Sequence, residues 1–346
     1  MRPARHLLTI LWPALPIAVL VCCGPLPDSR KPDVDLMPPH LQSVQSISPG
    51  EISVSFDEDA GLSAEKTRIS PALVVREVTG PARSVLLKGQ EQEPGLRYLL
   101  ESEARDARGN SASFVAEFYG YNSRVPRLLI NEFTPRGSGN HPDVVELKAV
   151  TAGNMGGAVL YLGSQGSYDA RLVFPPFEVA AGSFIVVHPK PSGDPREVDE
   201  RTDMAASSGF DAADTAYDFW MPDGKGLGGN NGVVSLYDRP GGACLDGVLY
   251  SNRTAESDEL YGGFGSAEMR TRAEELAGCG AWVSSGTRIT PEDGVNPEGS
   301  TGTRSLCRSS GSDDTNSAKD WHIVPTRRST IGVVNSDEVY VPRSNP

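Results

Sequence analysis

From residue 40 onward the apolar residues of this chain fall in short alternating runs, and that period of two constrains the fold more than any other feature. In "HLQSVQSISPGEISVSFDED", Ile52, Val54 and Phe56 share one face and Ser53 and Ser55 the other. Pro49 and Gly50 mark a hairpin turn between the two runs. Further strands are predicted at "ALVVREV", "SVLLKG", "LRYLLESEA" and "ASFVAEFYG", with "DARGN" (106–110) as a turn between the last two. The 37 glycines and 27 prolines among 346 residues supply many turns and leave room for few long helices. The expectation is an all-β chain, its first sandwich spanning residues 39–120.

The N-terminus has a different grammar. Arg2 and Arg5 precede an apolar run from Leu7 to Val21, too short to span a bilayer and suited to a secretory leader. Cys22 and Cys23 end that run, and residues 23–38 form a proline-rich polar tether. The order of basic residues, apolar run and cysteine resembles a bacterial lipoprotein signal. That resemblance implies cleavage near residue 22, lipid attachment (palmitate included) at Cys22 or Cys23, and anchorage in the cell envelope, the outer membrane favoured over the inner. The alternative is an ordinary secreted protein cut nearby. The formal net charge of −13 disfavours nucleic acid and anionic lipid as partners through bulk charge.

After a short junction (120–127), "LLINEFTPRGSGNHPDVVELKAV" carries Glu132 and Glu146 within apolar runs. Strict alternation places Leu129, Asn131 and Phe133 on one face and Leu128, Ile130 and Glu132 on the other. In the second run Val145, Leu147 and Ala149 form the apolar row opposite Glu146. Asp143 and Glu146, three apart, point to opposite faces, so a metal cluster with His141 is disfavoured. Both glutamates are expected to be structural, accepting hydrogen bonds from neighbouring backbone amides.

These motifs, in this order, resemble a lamin-tail domain, an Ig-like β-sandwich. "LLINEF" is similar to its I-N-E opening, and "DVVELKA" to its W-I-E-L strand with Val144 in the tryptophan position. "FPPFEVAAGSFIVV" is similar to its proline–glycine hairpin. "LGGNNGVVSLYDRPGGACLDGV" supplies Asn231, Gly232 and Asp246, with Val233 in place of an aspartate. "SLCRSSGSDDTNSAKDWHIVPTRRSTIGVVN" supplies Arg308, Asp320, Trp321 and Asn335, with Ile331 in place of a proline. The resemblance covers 127–335 and leaves 336–346 as a tail. The first sandwich resembles bacterial Ig-like modules through the Asp106, Gly109, Asn110 turn. Together they imply two Ig-like β-sandwich domains in tandem.

Two insertions lengthen the second domain, at about 190–226 and 252–302. The first is acidic and holds Phe210, Tyr217, Phe219 and Trp220, a candidate partner surface; the alternative has Phe219 and Trp220 covering the sandwich's own edge. The second holds "SAEMRTRAEELAG", suited to a short helix. Cys244, Cys279 and Cys307 allow at most one disulfide; Cys279–Cys307 is the first expectation, with Cys244 paired to either as the alternative.

The function expected is non-enzymatic: a binding, structural or adhesion module of the envelope with no cofactor and no metal, met by a protein or glycan partner. One rival is an exported hydrolase of nuclease or phosphoesterase type, or its accessory domain. Another is a calcium-dependent adhesion module using Asp313, Asp314, Asn316 and Asp320.

Overall fold

A computed structural model describes residues 35–253 and 260–342. The predicted leader, the lipid-attachment candidates Cys22 and Cys23 and most of the tether lie outside the described residues. The chain divides into two compact units, Met1–Met37 and Pro38–Pro346, and the second holds every described strand.

The chain is all-β apart from one α-helix and three single-turn 3₁₀ segments among the described residues. Seven strands make the first region: β1 (Leu41–Ser48), β2 (Glu51–Leu62), β3 (Arg68–Ser70), β4 (Val75–Val78), β5 (Ala82–Gly89), β6 (Arg97–Arg105) and β7 (Ser111–Tyr119). The first half of β2 pairs with β1 and β5, and its end, Gly61 and Leu62, pairs with β6. A break in the register between Ser55 and Ala60 lets the strand turn from one set of partners to the other. Its alternating residues Ile52, Val54 and Phe56 are buried with Val85, Leu87, Tyr98, Leu100 and Phe118. The Asp106 turn is capped from within: its Oδ1 accepts the Arg108 and Asn110 amides at 2.8 and 2.9 Å.

The second region follows with β8 (Leu128–Thr134), β9 (Val144–Ala149), β10 (Gly153–Asn154), β11 (Val159–Ser164), β12 (Ser167–Val173), β13 (Glu178–Val179), β14 (Phe184–His188), β15 (Tyr217–Trp220), β16 (Asn231–Tyr237), β17 (Cys244–Ser251), β18 (Leu306–Arg308) and β19 (Trp321–Ile323). One sheet runs β15-β14-β9-β8-β18-β19 and the other β12-β11-β16-β17, with β10 and β13 paired apart. Leu128, Ile130, Phe133, Val145, Leu147 and Ile185 of the first meet Leu160, Leu162, Val234, Leu236 and Val248 of the second in one apolar core. The other face of the four-stranded sheet is covered by α1 (Ala267–Gly278), started where the Ser266 side chain accepts the Met269 amide at 3.1 Å. Leu276 needs the bare backbone of Gly247: a Cβ there would sit 2.3 Å from the leucine Cδ1. None of the helices among the described residues is long and apolar enough to cross a membrane.

The two regions meet through backbone and side chains. Gly95 (φ 67°) lies against Gly156 and Gly157, where a Cβ would come within 2.0 Å of the Gly156 carbonyl carbon. Asn122 in the junction donates to the Asn154 and Gly156 carbonyls at 2.8 and 2.7 Å. Glu117 on β7 accepts from Arg171 on β12 at 2.6 Å.

Candidate functional site

Strict alternation does not survive along β8. Its register against β9 slips between Ile130 and Glu132, so Leu128, Ile130 and Phe133 all reach the apolar core. The bulge brings Glu132 directly opposite Glu146, and both are wholly buried. Like charges across a strand pair repel, and burial adds a desolvation cost. The closing segment answers both. Glu132 accepts from Ser305 Oγ, from Ser329 Oγ at 3.0 Å, and from the Thr330 amide and hydroxyl at 2.9 and 2.5 Å. Glu146 accepts from Asn131 Nδ2 at 2.7 Å and from the Gly332 amide at 2.6 Å. Burial, and then the Glu132 charge, push the Glu146 carboxyl well above its ordinary value, so it keeps its proton where a free glutamate would not.

Asn131 links this pair to a second one. Its Nδ2 also donates to Asn335 Oδ1 at 2.8 Å, and Asn335 donates in turn to the Arg308 carbonyl at 3.0 Å. The Arg308 guanidinium, wholly buried, donates to the Ile130 carbonyl, Asp246, Asp314 and Asp320, and lies 4.8 Å above the Trp321 ring. Burial pushes Asp246 up to about 7, and the Arg308 charge holds it from going higher. The bonds that tie Glu132 and Asn131 to the C-terminal part of the chain bridge separations of 173 to 204 residues. Asn131, Glu132, Glu146, Asp246, Arg308, Asp320, Trp321 and Asn335 thus form one cluster. Asn231 and Gly232 stand outside it: Asn231 Oδ1 accepts from Ser251 Oγ, and Gly232 makes room for the Tyr250 ring.

Next to the cluster a recess of about 410 Å³ opens, lined by Thr134, His141, Asp211, Thr303, Arg327 and Ser329 among others. His141 Nδ1 lies 2.9 Å from Asp211 Oδ1. Asp143 is turned elsewhere, accepting the Gly137 and Leu227 amides, so His141, Asp143 and Glu146 are not brought together. A second recess of about 380 Å³ is lined by Pro142, Lys190, Glu197 and Phe210. Asp313, Asp314 and Asp320 are engaged by donors of their own loop: Ser309 to Asp313, the Asn316 amide to Asp314, and the Thr315 amide and hydroxyl to Asp320.

The candidate partner surface is corrected for two of its four residues. Phe219 is fully buried and Trp220 nearly so, because β15 adds in parallel to β14 and closes the sheet edge. Phe219 packs on Phe174 and Phe177, and Tyr217, half-buried, also meets Phe177. Phe210 is the exposed one. Trp220 stacks at 3.8 Å on His188, whose Nε2 lies 2.7 Å from Asp218 Oδ1, a wholly buried pair that no motif or spacing singles out. Ser305, Ser329 and Thr330 were missed too; a serine or threonine carries no periodic signal, although "RRST" sits inside the closing motif.

The Cys279–Cys307 expectation meets an obstacle. Cys307 is buried on β18, with its Sγ 3.6 Å from His322 Nε2 and 3.7 Å from the Ser336 carbonyl. Cys244 and Cys279 instead neighbour one another on the far side of the four-stranded sheet.

Residues 126–323, more than half of the chain, match a family model named TP_1001_2nd and described as a protein second domain. No curated protein matches. Among solved structures, the crystal structure of dimeric latent PorU from Porphyromonas gingivalis is 10% identical over 62% of this chain and 20% of that one, with a TM-score of 0.18. The chain spans about a fifth of that protein's length, and a score of this size does not establish a shared fold.

Proposed function

We propose a non-enzymatic, structural or binding role in the bacterial cell envelope for this chain, which belongs to the TP_1001_2nd family. Its second domain is a lamin-tail-like sandwich, its first an Ig-like module, and a lipid on Cys22 or Cys23 holds both at a membrane. What supports the reading is where the charged groups spend their hydrogen bonds. Glu132, Glu146, Asp246 and Arg308 are wholly buried and bonded to their own chain, which suits fold closure rather than catalysis. The binding face is the one that carries the two recesses around Phe210, and its partner is an envelope protein or glycan.

Two experiments test this. Labelled fatty acid enters the chain in cells and is lost when Cys22 and Cys23 are both replaced by serine; label kept by the double variant rejects the anchor. Affinity capture from envelope extract recovers a partner that Phe210→Ala releases. The hydrolase reading draws on the His141–Asp211 pair. Phosphodiester hydrolysis by the pure chain that His141→Ala abolishes without lowering its melting temperature would install it instead.

A further inference from the structure

We propose that Cys244 and Cys279 form a disulfide that staples α1 to the four-stranded sheet, leaving Cys307 as a buried thiol. Register supplies the geometry. Cys244 opens β17 opposite Tyr237 on β16, and Ser235, two residues before Tyr237, pairs with Gly247. Tyr237, Cys244 and Gly247 therefore share the face that α1 covers. Leu276 seats on Gly247, and Cys279 caps the helix one turn later, its Sγ 3.2 Å from the Leu276 carbonyl. That sets its thiol beside Cys244 and the Tyr237 side chain, on the face of the sheet that the helix covers. The pair is set up for stepwise oxidation. Cys279 is exposed and Cys244 half-buried. The neighbouring Cys244 thiol lowers Cys279 to about 6, so Cys279 is the thiolate and Cys244 the thiol.

The chemistry needs a small-molecule or protein disulfide as oxidant. Cys279 thiolate attacks one of its sulfurs, forming a mixed disulfide and releasing the first thiolate. Cys244 loses its proton and attacks Cys279 Sγ, closing the internal bond and releasing the second thiolate. In sum, two protein thiols become one disulfide and the oxidant becomes two thiols, two electrons passing to it. The inference rests on the export reading only for an oxidising compartment; the bond itself forms wherever such an oxidant is present.

The full chain is incubated with oxidised glutathione, alkylated under denaturing conditions, and mapped by peptide mass, which separates these three thiols from Cys22 and Cys23. The expected result is one cross-linked pair, Cys244 with Cys279, and alkylated Cys307. Reduction then lowers the melting temperature of the second region by roughly 5–10 °C. The Cys244→Ser/Cys279→Ser variant shows no such dependence on reductant. A cross-link that contains Cys307, or glutathione that persists on Cys279 unresolved, overturns the proposal. Cross-linking in vitro together with reduced thiols in the chain taken from cells sinks the export reading and leaves the staple standing.

Discussion

The two strand-rich regions are built from the same alternation but closed in different ways. In the first, the core is Ile52, Val54, Phe56, Val85, Leu87, Leu100 and their neighbours, and its buried polar residues are few: Ser46, Gln92, Ser102 and the turn-capping Asp106. In the second, a larger apolar core is joined by a network of the wholly buried Glu132, Glu146 and Asp246 carboxylates and the Arg308 guanidinium. Their partners arrive from the far end of the chain, as when Thr330 closes on Glu132 across 198 residues. An apolar core accepts many arrangements of similar volume, whereas a half-satisfied polar network is costly, so the polar network favours one seating of the 329–335 segment over its alternatives.

The most severe way to break that network is Arg308→Leu. It leaves Asp246 buried without a counter-charge, and the expected loss is about 3–5 kcal/mol, read by denaturant unfolding. Leu100→Ala does comparable but slightly smaller damage in the first region, about 2–5 kcal/mol by cavity formation, and its cost does not vary with pH. A pH-dependent cost there would mean that the contrast between the regions is misdrawn.

Glu146→Gln sharpens the contrast by its sign. The native Glu146 is raised above its ordinary value of 4.5, so the folded chain holds a proton that the unfolded chain has released. Its contribution to stability is full below the unfolded value and is lost as pH rises toward the folded one, at about 1.4 kcal/mol per pH unit. Glutamine carries no titratable proton. The variant is therefore expected to be less stable than or equal to the native chain at pH 4 and to gain on it steadily from pH 5 to 7, followed by melting temperature. Parallel curves would show that Glu146 is ionised in the fold. Smallest of all, Glu117→Gln removes the ion pair to Arg171 between the regions, both ends of which are partly exposed. It should cost at most about 1 kcal/mol, and less at high salt.

How much of this was legible in the sequence differs between the regions for the same reason. Ile52, Val54 and Phe56 announce their face by alternation alone, and Ser266 with the alanine- and glutamate-rich run after it announces α1. The bulge that sets Glu132 opposite Glu146 leaves no periodic trace, because one slipped residue reads as continued alternation. Phe219 and Trp220 left two readings open in the sequence, an exposed aromatic patch among acids or a cover for the sandwich's own edge, and the parallel pairing of β15 that decides for the second is a tertiary event. Motif resemblance gathered Asn131, Asp246, Arg308 and Asn335, yet no spacing rule connects residues this far apart in the chain.

We propose that Glu132 is spent on holding the closing segment rather than on a ligand. Hydrogen exchange at the Thr330 amide, which donates to Glu132 at 2.9 Å, tests it most directly. Strong protection is expected in the native chain, with a loss of roughly ten- to hundredfold in Glu132→Gln, matching about 1.5–3 kcal/mol for hydrogen bonds to a charged group. Amides around Leu100 in the first region should be unchanged. A Thr330 amide that exchanges freely in the native chain, or that keeps its protection when Glu132 is replaced, would mean that Glu132 does not hold this segment.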